Sequence, residues 1–179
     1  MATAEQGLTT DFATTYREMM LQNIANEVQT TKRVLSAIPE EKRDYRHDPH
    51  GRTAWELAWH LANTDVQFLD GIADGNFRME GRDEAEKPKT IAELLNWYDR
   101  NTARATERVR AMSAEQLTTP IEFFGVFNLP AVYYLGFLNN HCIHHRGALA
   151  TYLRPMGSKC PSIYGGSYDE PFQPATKAA

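Results

Sequence analysis

The 179-residue chain is long enough for one domain with a substantial core, and its 42% hydrophobic residues are too many for a disordered chain. Lys+Arg 19 against Asp+Glu 23 give a formal net charge of −4, and the absence of a basic block excludes the electrostatic footprint of a nucleic-acid binder. The apolar run from Leu129 to Leu138, interrupted by Pro130 and Gly136, falls well short of the roughly 18 residues of a membrane span. The opening residues from Met1 to Gly7 have neither the basic nor the apolar part of a secretory signal. Two cysteines, Cys142 and Cys160, are too few for a disulfide framework. The expectation is a reduced, cytoplasmic, single-domain protein spanning 1–179, with its core at about 10–157 and a tail over 158–179.

Four long helices are expected, with little strand. The first runs from Asp11, read as its N-cap, to Ile38, with Phe12, Tyr16, Met20, Ile24, Val28 and Leu35 at helical spacing. The stretch from Pro39 to Arg52 is connection, with room for a short turn at its start. Thr53 and Glu56 form a capping-box pattern opening a second helix, which Asp74-Gly75-Asn76 stops. The segment from Arg78 to Lys89 is charged and expected to be solvated. Thr90 and Glu93 repeat the capping pattern for a third helix reaching about Met112, and Ser113 to Leu117 add a turn. Glu122 to Asn128 reads as an extended segment or hairpin. Asn128 with Pro130 is expected to open a fourth helix ending near Arg154, with Gly157 as its stop. Four such helices in one domain predict an all-α helix bundle.

Six histidines remain to be explained: His47, His50, His60, His141, His144 and His145. His141 and His145 are four apart on one helix, the spacing by which a helix offers two imidazoles to a single metal. With His141 at zero and about 100° per residue, Tyr134, Leu138, Leu149, Tyr152 and Met156 fall between roughly +20° and +80°. His145 sits at about +40°, inside that apolar stripe, and His144 at about −60°, at its border. The competing reading is a pair of ordinary core histidines. His60, the only histidine in another long helix, is the candidate third ligand, although it lies on the flank of its helix's apolar face. Three neutral imidazoles would suit zinc, nickel or another late divalent ion and leave a coordination position open. His47 and His50 are assigned to an exposed loop.

Two segments carry a family resemblance. Residues from Thr53 to Asp65, TAWELAWHLANTD, hold a single His followed five residues later by Asp. Residues from His141 to Gly157, HCIHHRGALATYLRPMG, hold a His-x-x-His-His-Arg-Gly signature, and PSIYGGSYD follows from Pro161 to Asp169. In this order they resemble the DinB family of DinB/YfiT-like metalloenzymes over roughly residues 10–170. The resemblance implies an up-down-down-up four-helix bundle with His60, His141 and His145 as metal ligands, and a homodimer. Ala148 stands where the family commonly has Gln, and Cys142 where an acidic residue is common.

Characterised relatives include thiol transferases, so the resemblance implies a divalent metal (zinc or nickel), a low-molecular-weight thiol as cosubstrate and a small-molecule substrate. The function expected is a metal-dependent thiol S-transferase, or a related conjugation or isomerisation enzyme, of stress or detoxification. The alternatives are a metal-binding stress protein without turnover and a metal-dependent hydrolase. No catalytic residue beyond the ligands is assigned. Asp65 lies within the apolar arc of its helix, where an unpaired carboxylate is costly, so a partner is expected, with Arg146 the candidate. Cys142 reads as a small packing residue, and Tyr164 and Tyr168 as the roof of a pocket or as tail packing.

Overall fold

The computed structural model describes residues 8–78 and 87–172. Most of the expected charged stretch after Arg78, and the last residues of the expected tail, lie outside the described residues. Helix α1 spans Thr10–Ser36, and its N-cap is Thr9, whose hydroxyl accepts from the Phe12 amide. Asp11, the expected cap, instead occupies the first turn, where its charge complements the helix dipole. Helix α2 spans Ala54–Asp74 and opens on the expected reciprocal capping box of Thr53 and Glu56. It ends at Gly75, whose φ of 66° is a left-handed conformation that favours glycine. Thr90 caps helix α3, Ile91–Arg110, but only half of the box forms, because the Glu93 carboxylate accepts from the Lys89 amide. A short helix α4, Ala114–Thr118, follows on a Ser113–Gln116 capping box.

The segment before the last helix is a hairpin of β1, Pro120–Phe123, and β2, Phe127–Pro130, paired antiparallel with Ile121 opposite Leu129. It turns through Phe124 and Gly125, both at positive φ. This hairpin corrects the expected start of the fourth long helix. Asn128 lies opposite Glu122 in the strand ladder and is therefore not a helix cap. A 3₁₀ turn over Ala131–Tyr133 intervenes, and helix α5 spans Tyr134–Leu153. Beyond it Gly157 takes φ 82°, and the Gly157 and Ser158 amides return to the Arg154 and Leu153 carbonyls. The helix thereby stops where expected.

The chain is thus mostly helical, and the hairpin is the only named sheet among the described residues. Helix α1 packs against α3 and α5, and α2 packs against the same two. The cyclic order α1–α3–α2–α5 sets α1 across from α2 and α3 across from α5. Consecutive helices placed across a core need long connections, which residues 37–53 and 111–133 supply. Leu21, Leu35, Leu61, Leu69, Leu94, Tyr98, Tyr134, Leu135 and Leu138 are fully buried within one apolar cluster. Truncating one such leucine to alanine costs about 2–5 kcal/mol. Trp59 and Trp97 meet edge to face at 4.9 Å where α2 adjoins α3. No helix of the described residues is long and apolar enough to cross a membrane.

Candidate metal centre

The contact between α2 and α5 places three histidines at one point. His60 Nε2 lies 3.3 Å from His145 Nε2 and 3.4 Å from His141 Nε2. The ligand atoms of all three lie within 4.8 Å of one another, and the residues are half-buried. The i,i+4 pair on α5 and the flank position of His60 on α2 explain both facts: two side chains share a face, and the third reaches them from the edge of its own stripe. Hydrogen bonding among the three cannot satisfy them all, since one Nε2–H can serve a single neighbour well. A cation between them can serve all three. Tetrahedral ligands about 2.0–2.1 Å from zinc sit about 3.3–3.4 Å apart, so the observed separations suit that donor set.

The second ring nitrogens of His141 and His60 have partners of their own. Asp65 Oδ1 lies 3.2 Å from His141 Nδ1, and the Thr64 hydroxyl 3.4 Å from His60 Nδ1. An ionised carboxylate only accepts, so Asp65 selects the His141 tautomer that carries its proton on Nδ1 and leaves Nε2 bare. Tyr98 on α3 donates to the second Asp65 oxygen at 2.8 Å. Burial raises the Asp65 carboxyl above its ordinary value, against the opposing hydrogen bonds from His141 and Tyr98. Burial also lowers both His60 and His145 to about 4, with added repulsion from Arg52 and the neighbouring imidazoles. Both rings are neutral at neutral pH, the state a ligand requires.

The remaining candidates divide clearly. His144 is exposed and only edges the His145 ring, at 4.8 Å between centroids. His47 packs beside Tyr152 at 5.4 Å, and His50 is exposed. Cys142 is buried against the Thr31 hydroxyl at 3.2 Å, and burial pushes its thiol far up, so it is a packing residue. Cys160 is half-buried.

The pairing of Asp65 with Arg146 does not occur. Arg146 is fully buried and bonds Glu27 on α1, while Tyr164 bonds both members of that pair and covers the guanidinium. The reason is the helix face: Arg146 is four residues from Cys142, on the side of α5 that meets α1, whereas Asp65 meets the His141 side. Tyr168 lies over Arg154, so both tail tyrosines pack on arginines. Glu27 and Tyr98 are the polar partners that sequence reasoning missed. Tyr98, four residues after Leu94, offers only an apolar signal in the sequence, and a charge inside the stripe of α1 is the one available sign for Glu27.

A family model described as the DinB family matches residues 10–176. The chain is 23% identical over 145 residues to the "Uncharacterized protein YrdA" of Bacillus subtilis (strain 168), covering 80% of this chain and 85% of that protein. Among solved structures, a DinB-like protein from Bacillus subtilis superposes with a TM-score of 0.68 at 21% identity, covering 81% of this chain and 97% of the other. A DinB-like protein from Bacillus cereus ATCC 10987 gives 0.69 at 26% identity, covering 82% and 97%. Both share the fold, and the family match spans both histidine-bearing helices. The chain belongs to the DinB family.

Proposed function

We propose that His60, His141 and His145 hold one divalent metal ion, zinc or nickel, and that the chain is a metal-dependent thiol S-transferase or a related conjugation or isomerisation enzyme. The observation that carries the metal site is the convergence of three Nε2 atoms, with separations of 3.3 and 3.4 Å about His60. Among the described residues, the cluster contains no fourth His, Cys, Asp or Glu donor. An ion held there keeps a position for an outside ligand, which favours an enzyme over a closed structural site.

When bound, such an ion supplies Lewis acidity and stabilises a thiolate at neutral pH. The side chains around it do the rest. Asp65 holds the His141 ring, Thr64 holds the His60 ring, and Arg52 adds positive charge near His60 and His145. Three neutral ligands leave the ion's charge uncompensated, and Asp65 is buried behind His141, so the site favours an anionic cosubstrate such as a thiol in its ionised form. The homodimer belongs to the same reading; exposed Phe12 and Met19 on α1 and Phe137 on α5 offer apolar surface for it.

The test has two parts. Purified protein should carry, or take up on titration, one divalent ion per chain. Metal-loaded protein should then turn over at least one pairing from a panel of cellular thiols and electrophiles faster than His141→Ala does. Absence of stoichiometric metal would sink the site. Full metal occupancy without such a rate would leave a metal-binding protein and remove the transferase.

A further inference from the structure

Tyr98 lies on α3, which contributes no histidine to the cluster, yet its phenol is tied to it. The side chain is fully buried, and its hydroxyl donates to Asp65 Oδ2 at 2.8 Å. The other oxygen of that carboxylate, Oδ1, faces His141 Nδ1 at 3.2 Å. Asp65 is itself buried, with 3% of its surface exposed, so water does not compete for either oxygen. The Thr102 hydroxyl bonds the Tyr98 backbone carbonyl at 2.6 Å within α3. The phenol thus reaches from α3 to a residue of α2 that in turn faces a residue of α5.

We propose that Tyr98 is a positioning residue for the metal site: by occupying one Asp65 oxygen, it fixes the other on His141 Nδ1 and aims His141 Nε2 at His60 and His145. The inference rests on the reading of these three histidines as metal ligands. A carboxylate on a short side chain can turn about its terminal bond, and a single partner leaves that rotation open. Two donors on its two oxygens close it. The His141 ring is then set in orientation and in tautomer before any ion arrives, the arrangement by which outer hydrogen bonds tune metal–histidine sites. A buried phenol would need a partner in any case. A purely structural hydroxyl would be equally content with a backbone carbonyl, as Tyr134 is with that of Ile121 at 2.7 Å.

That contrast provides the control. Tyr98→Phe, Asp65→Asn and Tyr134→Phe are compared with the wild-type chain in zinc affinity, by competition with a chromophoric chelator, and in thermal stability of the zinc-free protein. The imidazole ¹⁵N resonances of the zinc-free protein report the His141 tautomer. Asp65→Asn should weaken zinc binding about 10–100-fold and Tyr98→Phe about tenfold, the range for loss of an outer partner. Tyr134→Phe should lose stability without changing zinc affinity. The His141 signal should show the Nδ1–H form in the wild type and a mixed population in Tyr98→Phe. Zinc affinity and tautomer in Tyr98→Phe that match the wild type would overturn the proposal, as would an equal affinity loss in Tyr134→Phe. Failure of the wild type to bind zinc would instead overturn the metal reading, and the tautomer comparison would still decide whether Tyr98 positions His141.

Discussion

Helix α5 presents two i,i+4 pairs, one residue out of step, with opposite outcomes. His141 and His145 face α2, where they meet His60, and the atoms nearest one another are all imidazole nitrogens of one kind. Cys142 and Arg146 face α1, where they meet Thr31 and Glu27 as complementary partners. The first face gathers donors of electron pairs without an acceptor to match them; the second pairs a guanidinium with a carboxylate and a thiol with a hydroxyl, although Arg146 Nε keeps no partner among the described residues. A single-residue step turns the side chains by about 100°, enough to change which helix they meet. On the proposed reading, the contrast separates a site prepared for something outside the chain from a contact that completes the fold.

Experiments can press on each face in turn. The largest expected effect is on the open face: His141→Ala should lower zinc affinity by more than about 100-fold, beyond the range for loss of an outer partner, because a ligand itself is removed. Chelator competition measures it; the metal-free protein should also lose about 1–3 kcal/mol, because the buried Asp65 carboxylate loses one of its two partners. On the closed face the roles reverse. Arg146→Leu leaves the Glu27 carboxylate buried without its cation and should cost about 3–5 kcal/mol in denaturant unfolding, whereas Glu27→Leu together with Arg146→Leu should recover most of that loss. Loss of zinc affinity in Arg146→Leu, with the fold intact, would break the contrast.

Acid sharpens it further. His60 and His145 titrate at about 4 in the fold and near their ordinary value of 6.5 when unfolded. Between those values the unfolded chain binds more protons, so these two groups make the metal-free protein less stable as pH falls from about 6.5 to about 4. Asp65, raised by burial, pulls in the opposite direction over the carboxylate range. Replacing His60 and His145 together with Gln should flatten the upper part of the profile, as measured by thermal midpoints across pH. The smallest effect lies at the start of α2: Thr53→Ala removes a helix cap and should cost about 1 kcal/mol without altering zinc affinity.

Much of this was legible in the sequence wherever a signal was local. The Thr53–Glu56 box, the Gly75 and Gly157 stops and the i,i+4 histidines each depend on residues within a turn of one another. His60 joins that pair as the only histidine in another long helix and through the family resemblance; its helical angle alone puts it on the flank. Errors arose where local signals competed. Asn128 with Pro130 is a fair helix start, but pairing with β1 satisfies that backbone first. Glu93 had two amides within reach and took the one at Lys89. The partners of Asp65 and Arg146 were invisible because they depend on which helices adjoin. Asp65 and Tyr98 are 33 residues apart, and Glu27 and Arg146 are 119 apart.

The same separation bears on how the molecule comes together. His60 and His145 stand 85 residues apart, on the second and the last of the four long helices. During synthesis, α2 emerges with one imidazole and must wait for α5 before the cluster exists. An ion that binds there has no comparable seat on the partly made chain, so it acts as a clasp fastened only after the bundle has closed. At a free concentration of about 1,000 times its dissociation constant, such a clasp adds about 4.1 kcal/mol to the closed state. If the proposed ion is held there, the stability of the closed bundle rises with the supply of metal.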